Sequence, residues 1–255
     1  MKIVSWNVNS IRARIDRVIE WLDANRPDVL CMQELKCEEQ VFPRDRFEQL
    51  GYHVELVCQK TYNGVGIASR KPASEVARGL DDGDDDAQAR LIAATVEGVR
   101  ILSVYVPNGQ TVGSEKYQYK LKWMNRLRRY LDERHKPADD LLVCGDFNVA
   151  PEERDVKDPV AWSTETLFHI DARNALEQVR AFGLVDTFRL HHQEPGFYSW
   201  WDYRMLSFPR DNGLRIDHIF ASEPMARRCS GASIDREARK GKQPSDHAPV
   251  LATFE

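Results

Sequence analysis

A chain of 255 residues, 42% hydrophobic and 30% charged, is long enough to bury a core without staples and has an ordinary globular composition. Its 36 basic and 40 acidic residues leave a formal net charge of −4, which argues against non-specific coating of a polyanion but not against a local basic face. Five cysteines (31, 37, 58, 144 and 229) form no zinc-type pair, and no apolar run reaches membrane-span length, so free thiols and a cytoplasmic setting are expected.

In chain order, Ile3–Val8 reads as a strand. Ile11, Ile15, Val18, Ile19 and Leu22 then recur at helical spacing. Asn9 or Ser10 can cap that helix, and Pro27 lies just past its end. Val29–Gln33 is a buried strand. Tyr52–Cys58, Gly64–Ser69, Leu91–Val96 and Arg100–Val106 follow as a mostly antiparallel series, with turn chemistry at Asn63-Gly64 and Glu97-Gly98. The acidic tract at 81–86 lacks the ligand spacing and closing Glu of a calcium loop, and is expected as a solvated loop.

Ser114 can cap a long helix with Tyr117, Leu121, Met124, Leu127 and Leu131 on its apolar face. Leu141–Cys144 is another buried strand. Residues 151–170 look like a long functional loop with a short helical turn. Ala172, Leu176, Val179 and Phe182 mark a helix ended by Gly183. Short strands are expected around Tyr198–Trp201, Arg215–Ala221 and Val250–Phe254. No Pro/Gly/Ser linker divides the chain, so 1–255 is expected to be a single domain. Ile3–Val8 and Leu141–Val149 echo each other: both run apolar, then polar, with a helix downstream. Two similar halves would give two packed sheets with helices outside.

Several strands end in hard oxygen ligands or proton-transfer groups, where α/β enzymes place chemistry. Asn7 and Glu34 end the first two; together they suit Mg²⁺, which takes one or two carboxylates and keeps waters. Asp146 and Asn148 flank Phe147, and residues two apart in an extended segment point the same way. Asp146 suits either a base orienting water or a metal ligand; Asn148 offers an amide donor to a phosphoryl oxygen. His247 could donate to a phosphate oxygen if a carboxylate keeps it protonated, and Asp217 is a candidate partner. Tyr105 and Asn108 end another strand; Tyr105 reads equally well as a phosphate contact or as a core tyrosine with a wet tip. No serine-centred nucleophile elbow appears.

Seven segments together resemble the exodeoxyribonuclease III family of AP endonucleases, within the endonuclease/exonuclease/phosphatase superfamily. They are Ser5-Trp6-Asn7-Val8-Asn9, Gln33-Glu34-Leu35-Lys36, Tyr62-Asn63-Gly64-Val65, Tyr105-Val106-Pro107-Asn108-Gly109, Gly145-Asp146-Phe147-Asn148-Val149-Ala150, Leu214-Arg215-Ile216-Asp217 and Ser245-Asp246-His247-Ala248-Pro249. The resemblance implies an α+β fold, a four-layer αββα sandwich of two packed mixed sheets with outer helices. It implies Mg²⁺ (or Mn²⁺) held chiefly by Glu34 with Asn7, and metal or water contacts from Asp146, Asn148 and Asp246. Tyr105, Asn148 and His247 would contact the scissile phosphate, Asp217 would pair with His247, and Asp146 would orient the attacking water.

A DNA enzyme needs phosphate contacts around its cleft. Candidates are Arg12, Lys36, the Lys60–Asn63 loop with Asn63, Asn108, Lys116, Lys120 and the run Arg236–Lys242. The aromatic stretch at 198–203 reads as a pocket wall for an extruded abasic sugar or as core packing. The resemblance places Trp200, Leu214 and Ile216 near that pocket, with Leu214 standing where some relatives carry an aromatic. The expected activity is Mg²⁺-dependent cleavage of double-stranded DNA, 5′ to abasic sites and from 3′ ends, by a monomer that does not engage membrane. The alternatives are a superfamily phosphatase on a non-nucleic-acid substrate and a non-catalytic RNA-binding regulator of the same fold.

Overall fold

The computed structural model describes residues 1–84 and 86–255. Its first sheet is built from β1 (Lys2–Asn7), β2 (Val29–Gln33), β3 (His53–Val57), β4 (Val65–Ser69), β11 (Cys229–Ile234) and β12 (Val250–Phe254). Its second is built from β5 (Ser74–Arg78), β6 (Leu91–Val96), β7 (Val99–Tyr105), β8 (Leu141–Asp146), β9 (Leu184–Asp186) and β10 (Asp217–Ser222). The strand orders are β11-β12-β1-β2-β4-β3 and β5-β6-β7-β8-β10-β9. The pairs β1–β2 and β7–β8 are parallel. The rest are antiparallel.

The internal echo of the sequence is real in three dimensions. β1 lies between an antiparallel β12 and a parallel β2, and β8 lies between an antiparallel β10 and a parallel β7. Asn7 and Asp146 therefore end equivalent central strands. Side chains alternate across each sheet. Ile3, Val29, Cys31, Ile101, Leu142 and Cys144 pack between the sheets. Val4, Trp6, Leu30 and Met32 face outward onto α1 (Ile11–Asn25) through Val18 and Leu22. On the other side Leu102, Val104 and Val143 pack against α3 (residues 115–134) and α5 (residues 170–180). Central strands buried on both faces read as the near-continuous apolar runs seen in the sequence. The shorter helices are α2 (residues 44–48), α4 (residues 159–162), α6 (residues 187–191) and α7 (residues 223–228).

Both expected caps form: the Ser10 and Ser114 hydroxyls accept the backbone N–H groups of Ala13 and Tyr117. One glycine is required by close approach. A Cβ on Gly145 would lie 2.0 Å from the Val104 carbonyl oxygen, so the step before Asp146 admits no side chain.

Three strands were not legible in the sequence. β5, β9 and β11 lie at or near sheet edges, and β5 and β11 bury too little surface to show an apolar alternation. Conversely, residues 198–201 make only isolated bridges, Trp200 pairing with Leu214 and with His247. The acidic tract lies between β5 and β6 with Asp81 and Asp84 exposed, as expected, and Asp85 outside the described residues; two of its carboxylates need a correction. Asp82 and Asp86 are not solvated charges. They accept hydrogen bonds from the buried Arg126 guanidinium of α3 at 2.6 to 2.8 Å. No helix among the described residues is long and apolar enough to cross a membrane.

Candidate active site

The register of the two sheets brings the polar strand ends to one rim. Asn7 pairs with Gln33, which places Glu34 one residue beyond. Asp146 is flanked by Tyr105 on β7 and Asp217 on β10. The segment before β12 runs past the end of β1: the Ser245 hydroxyl donates to the Asn7 carbonyl at 2.7 Å, and the Trp6 indole donates to the His247 carbonyl at 3.1 Å. Glu34 and Asn148 both adopt positive φ, at 53° and 50°. The Glu34 turn is held by hydrogen bonds from Ser10 N–H to Glu34 O and from Lys36 N–H to Asn63 O. Non-glycine residues in this region concentrate where function over-determines the backbone.

Glu34, Asp146 and His247 each offer a ligand atom, all within 4.8 Å of one another. The Asn7 amide lies between the two carboxylates and donates to Glu34 Oε1 at 2.7 Å and to Asp146 Oδ2 at 2.9 Å. Its oxygen accepts the Asn9 N–H, so Asn7 orders the acidic pair with its nitrogen turned to the cleft. The Lys36 ammonium sits 2.6 Å from Glu34 Oε2. Positive charge is thus already favoured beside a hard carboxylate that faces the opening, and the donor set suits a hard divalent cation.

His247 is buried. Its Nδ1 lies 2.9 Å from Asp217 Oδ2, and its Nε2 points towards Asp146 Oδ2 at 3.7 Å. Burial alone would push the imidazole down, but Asp217 and Asp146 outweigh it and hold the ring protonated up to about 10. The Ser199 hydroxyl donates to Asp217 Oδ2 at 2.6 Å and accepts the N–H groups of Ile216 and Asp217. Asp146 is raised as well: burial pushes it up to about 7, against the pull of His247. Two buried groups with strongly perturbed values beside one cleft are a common mark of acid–base chemistry.

Asn148 is fixed on all sides. Its amide donates to the Val106 carbonyl at 2.9 Å, and its oxygen accepts the Asn108 amide at 3.1 Å. Tyr105 is kept a phenol, pushed up by burial and by the nearby Glu34 and Asp146 carboxylates, while the Arg90 guanidinium lies over its ring. Leu214 and Ile216 are buried with Ala150, Val156, Leu167 and Phe168, and Trp200 closes this cluster half-exposed.

Other expected residues lie differently. Asp246 does not join the acidic cluster. Its two oxygens accept the Asn9 amide at 2.8 Å and the Trp200 indole at 3.0 Å, so it links the first strand's loop to the pocket wall. Asn63 is buried, with its amide donating to Gln59 and Gln88, whereas Lys60, Thr61 and Tyr62 of that loop are exposed. Lys120 is fully buried and cannot meet a DNA phosphate from solvent. Arg12 and Lys116 are exposed. Two residues of the site were missed, Asn9 and Ser199. Asn9 bonds both Asp246 and Lys36; it lies in the turn after β1, at positive φ, and its place two residues after Asn7 in a turn-forming pair of asparagines was the available signal. Nothing in the sequence marked Ser199.

A family model described as the endonuclease/exonuclease/phosphatase family matches residues 4–247. The chain belongs to this family. Within the endonuclease/exonuclease/phosphatase family it is 33% identical to an exodeoxyribonuclease III of Haemophilus influenzae, with 100% of both chains covered. An AP endonuclease from Archaeoglobus fulgidus superposes with a TM-score of 0.97 at 42% identity, covering 100% of this chain and 99% of that one. A 3′-5′ exonuclease from Neisseria meningitidis superposes with a TM-score of 0.95 at 43% identity, covering 100% of each. The fold is therefore the αββα sandwich of these enzymes, and the chain is a phosphodiester hydrolase.

Proposed function

We propose that the protein is a divalent-cation-dependent DNA repair phosphodiesterase that incises 5′ to abasic sites and removes nucleotides or blocking groups from 3′ ends. Residues 1–255 are read as one catalytic unit acting as a monomer on double-stranded DNA. The observation that carries the reading is the convergence of Glu34, Asp146 and His247 within 4.8 Å, backed by Asp217, at the rim where Leu214, Ile216 and Trp200 form an apolar wall. Glu34 and Asp146 would hold Mg²⁺, or Mn²⁺ in its place. Such an ion, when bound, stabilises negative charge developing on the phosphoryl oxygens.

The chain's own groups supply the rest. Asp146, raised by burial, accepts a proton from the attacking water and orients it in line with the P–O bond. His247, held protonated by Asp217, donates from Nε2 to a non-bridging phosphate oxygen. Asn148 and Tyr105 contact the same phosphate, and Asn108 steadies Asn148. Water adds to phosphorus, the P–O3′ bond breaks, and the proton passes to the departing 3′ oxygen. Trp200, backed by the buried Leu214 and Ile216, receives a sugar that lacks its base, which leaves the helix at lower cost than a stacked nucleotide. Asp246 sets the position of Trp200. Arg12, Lys36 and Lys116 meet the flanking phosphates.

The test is incubation with a duplex carrying one abasic site, with Mg²⁺ and then with EDTA. Incision 5′ to the site that EDTA abolishes is the expected result. An intact duplex and intact 3′ ends under both conditions would overturn the proposal.

A further inference from the structure

We propose that Lys120 is a positioning residue, whose buried ammonium holds the phosphate-contacting loops and the sugar-pocket wall in register. This rests on the nuclease reading above. Lys120 points inward from α3 and is 0% exposed. A lysine without solvent contact is costly unless every proton finds an acceptor. Here the partners are three main-chain carbonyls rather than a carboxylate. Nζ donates to Asn108 O at 3.1 Å, Asn148 O at 2.7 Å and Thr166 O at 2.8 Å. Three protons meet three acceptors on three separate segments.

Each segment carries part of the site. The first follows β7 and presents Asn108. The second follows β8 and presents Asn148, whose side-chain oxygen accepts from Asn108. The third precedes α5 and carries Leu167 and Phe168, which back Leu214 and Ile216. The lysine's stem is equally constrained: a Cβ on Gly109 would lie 3.0 Å from Lys120 Cδ, so the first loop rests directly on it. Lys120 is the residue that bonds all three. Without its ammonium the three carbonyls lose their donor, and the Asn108–Asn148 pair loses its fixed distance from the pocket wall.

The experiment is a double-mutant cycle of Lys120→Met with Asn108→Ala, read as kcat and KM on an abasic duplex. Wild-type cleavage under the same conditions tests the nuclease reading separately. Lys120→Met should lower kcat about tenfold or more while leaving the Mg²⁺ concentration for half-maximal activity within twofold. In that background Asn108→Ala should cost less than a further twofold, because the asparagine is already misplaced. Lys122→Met, on the solvent side of the same helix, should leave kcat unchanged. A purely structural lysine would lower Tm but keep the two losses additive, and additivity overturns the proposal. Should Lys120→Met not fold, the cycle is repeated with Lys120→Gln, which keeps two donors. Failure of both to fold also overturns it, since the lysine would then serve stability rather than loop placement.

Discussion

His247 Nδ1 lies 2.9 Å from Asp217 Oδ2, and through this pair a histidine buried in the rim keeps its charge. The linkage sign follows from a folded value raised to about 10 above an ordinary one of about 6.5. The stability it contributes is fully present below the ordinary value and is lost as pH rises through about 10. Asp217→Asn should bring the His247 titration down, measured by NMR of the imidazole in metal-free protein, and slow cleavage about 100-fold. An unchanged titration would remove Asp217 from its assigned part.

Glu34 and Asp246 should separate cleanly. Glu34 faces Asp146 and His247, whereas both Asp246 oxygens are engaged by Asn9 and Trp200. Glu34→Gln should weaken Mg²⁺ binding at least about tenfold by calorimetry, and raised Mg²⁺ should partly restore cleavage. Asp246→Asn should leave Mg²⁺ affinity within about twofold and raise KM for the abasic duplex, because Trp200 loses its anchor. Equal losses of Mg²⁺ affinity would return Asp246 to the ligand set.

Arg126 secures the acidic segment to α3. It donates to Asp82 and Asp86, and its hydrogen bonds hold the Asp82 carboxyl below the usual range against the opposing effect of burial. A depressed carboxyl contributes stability above its unfolded value of about 3.9 and loses it as pH falls. Arg126→Ala should cost about 2 kcal/mol at neutral pH by urea denaturation. The cost should shrink as pH falls below about 4; a cost that does not change with pH would contradict the ion-pair account.

Gly145→Ala should be destabilising although it changes no charge. The added methyl meets the Val104 carbonyl at 2.0 Å, so β7 and β8 must separate beside Asp146. Overpacking of this kind costs about 1–3 kcal/mol, or roughly 2–12 °C in Tm for a chain of this size. Calorimetry showing wild-type Tm would mean that the strands can part without penalty.

The central strands were legible because burial on both faces leaves an apolar run with a polar stop. Val29–Gln33, Leu91–Val96 and Val250–Phe254 come out with the same bounds in the structure. The polar stops Asn7, Glu34, Asp146, Asp217 and His247 stand together at one rim. β5 and β11 were not legible, since an edge strand that buries little on either face shows no apolar alternation. Buried polar residues misled for the same reason in reverse. Lys120 and Asn63, both buried, and the half-buried Asp246 carry the side chains of DNA or metal contacts, yet each is engaged by other groups of the protein.

By itself, then, the order of residues determined the strand ends and the types of group they carry, because local patterning encodes which segments are buried and where they stop. Which groups touch one another was decided only when two sheets packed. Partners separated by 30 to 241 residues, such as Asp217 with His247 and Trp6 with His247, are brought together by strand register, and that depends on long-range packing that a local pattern does not contain.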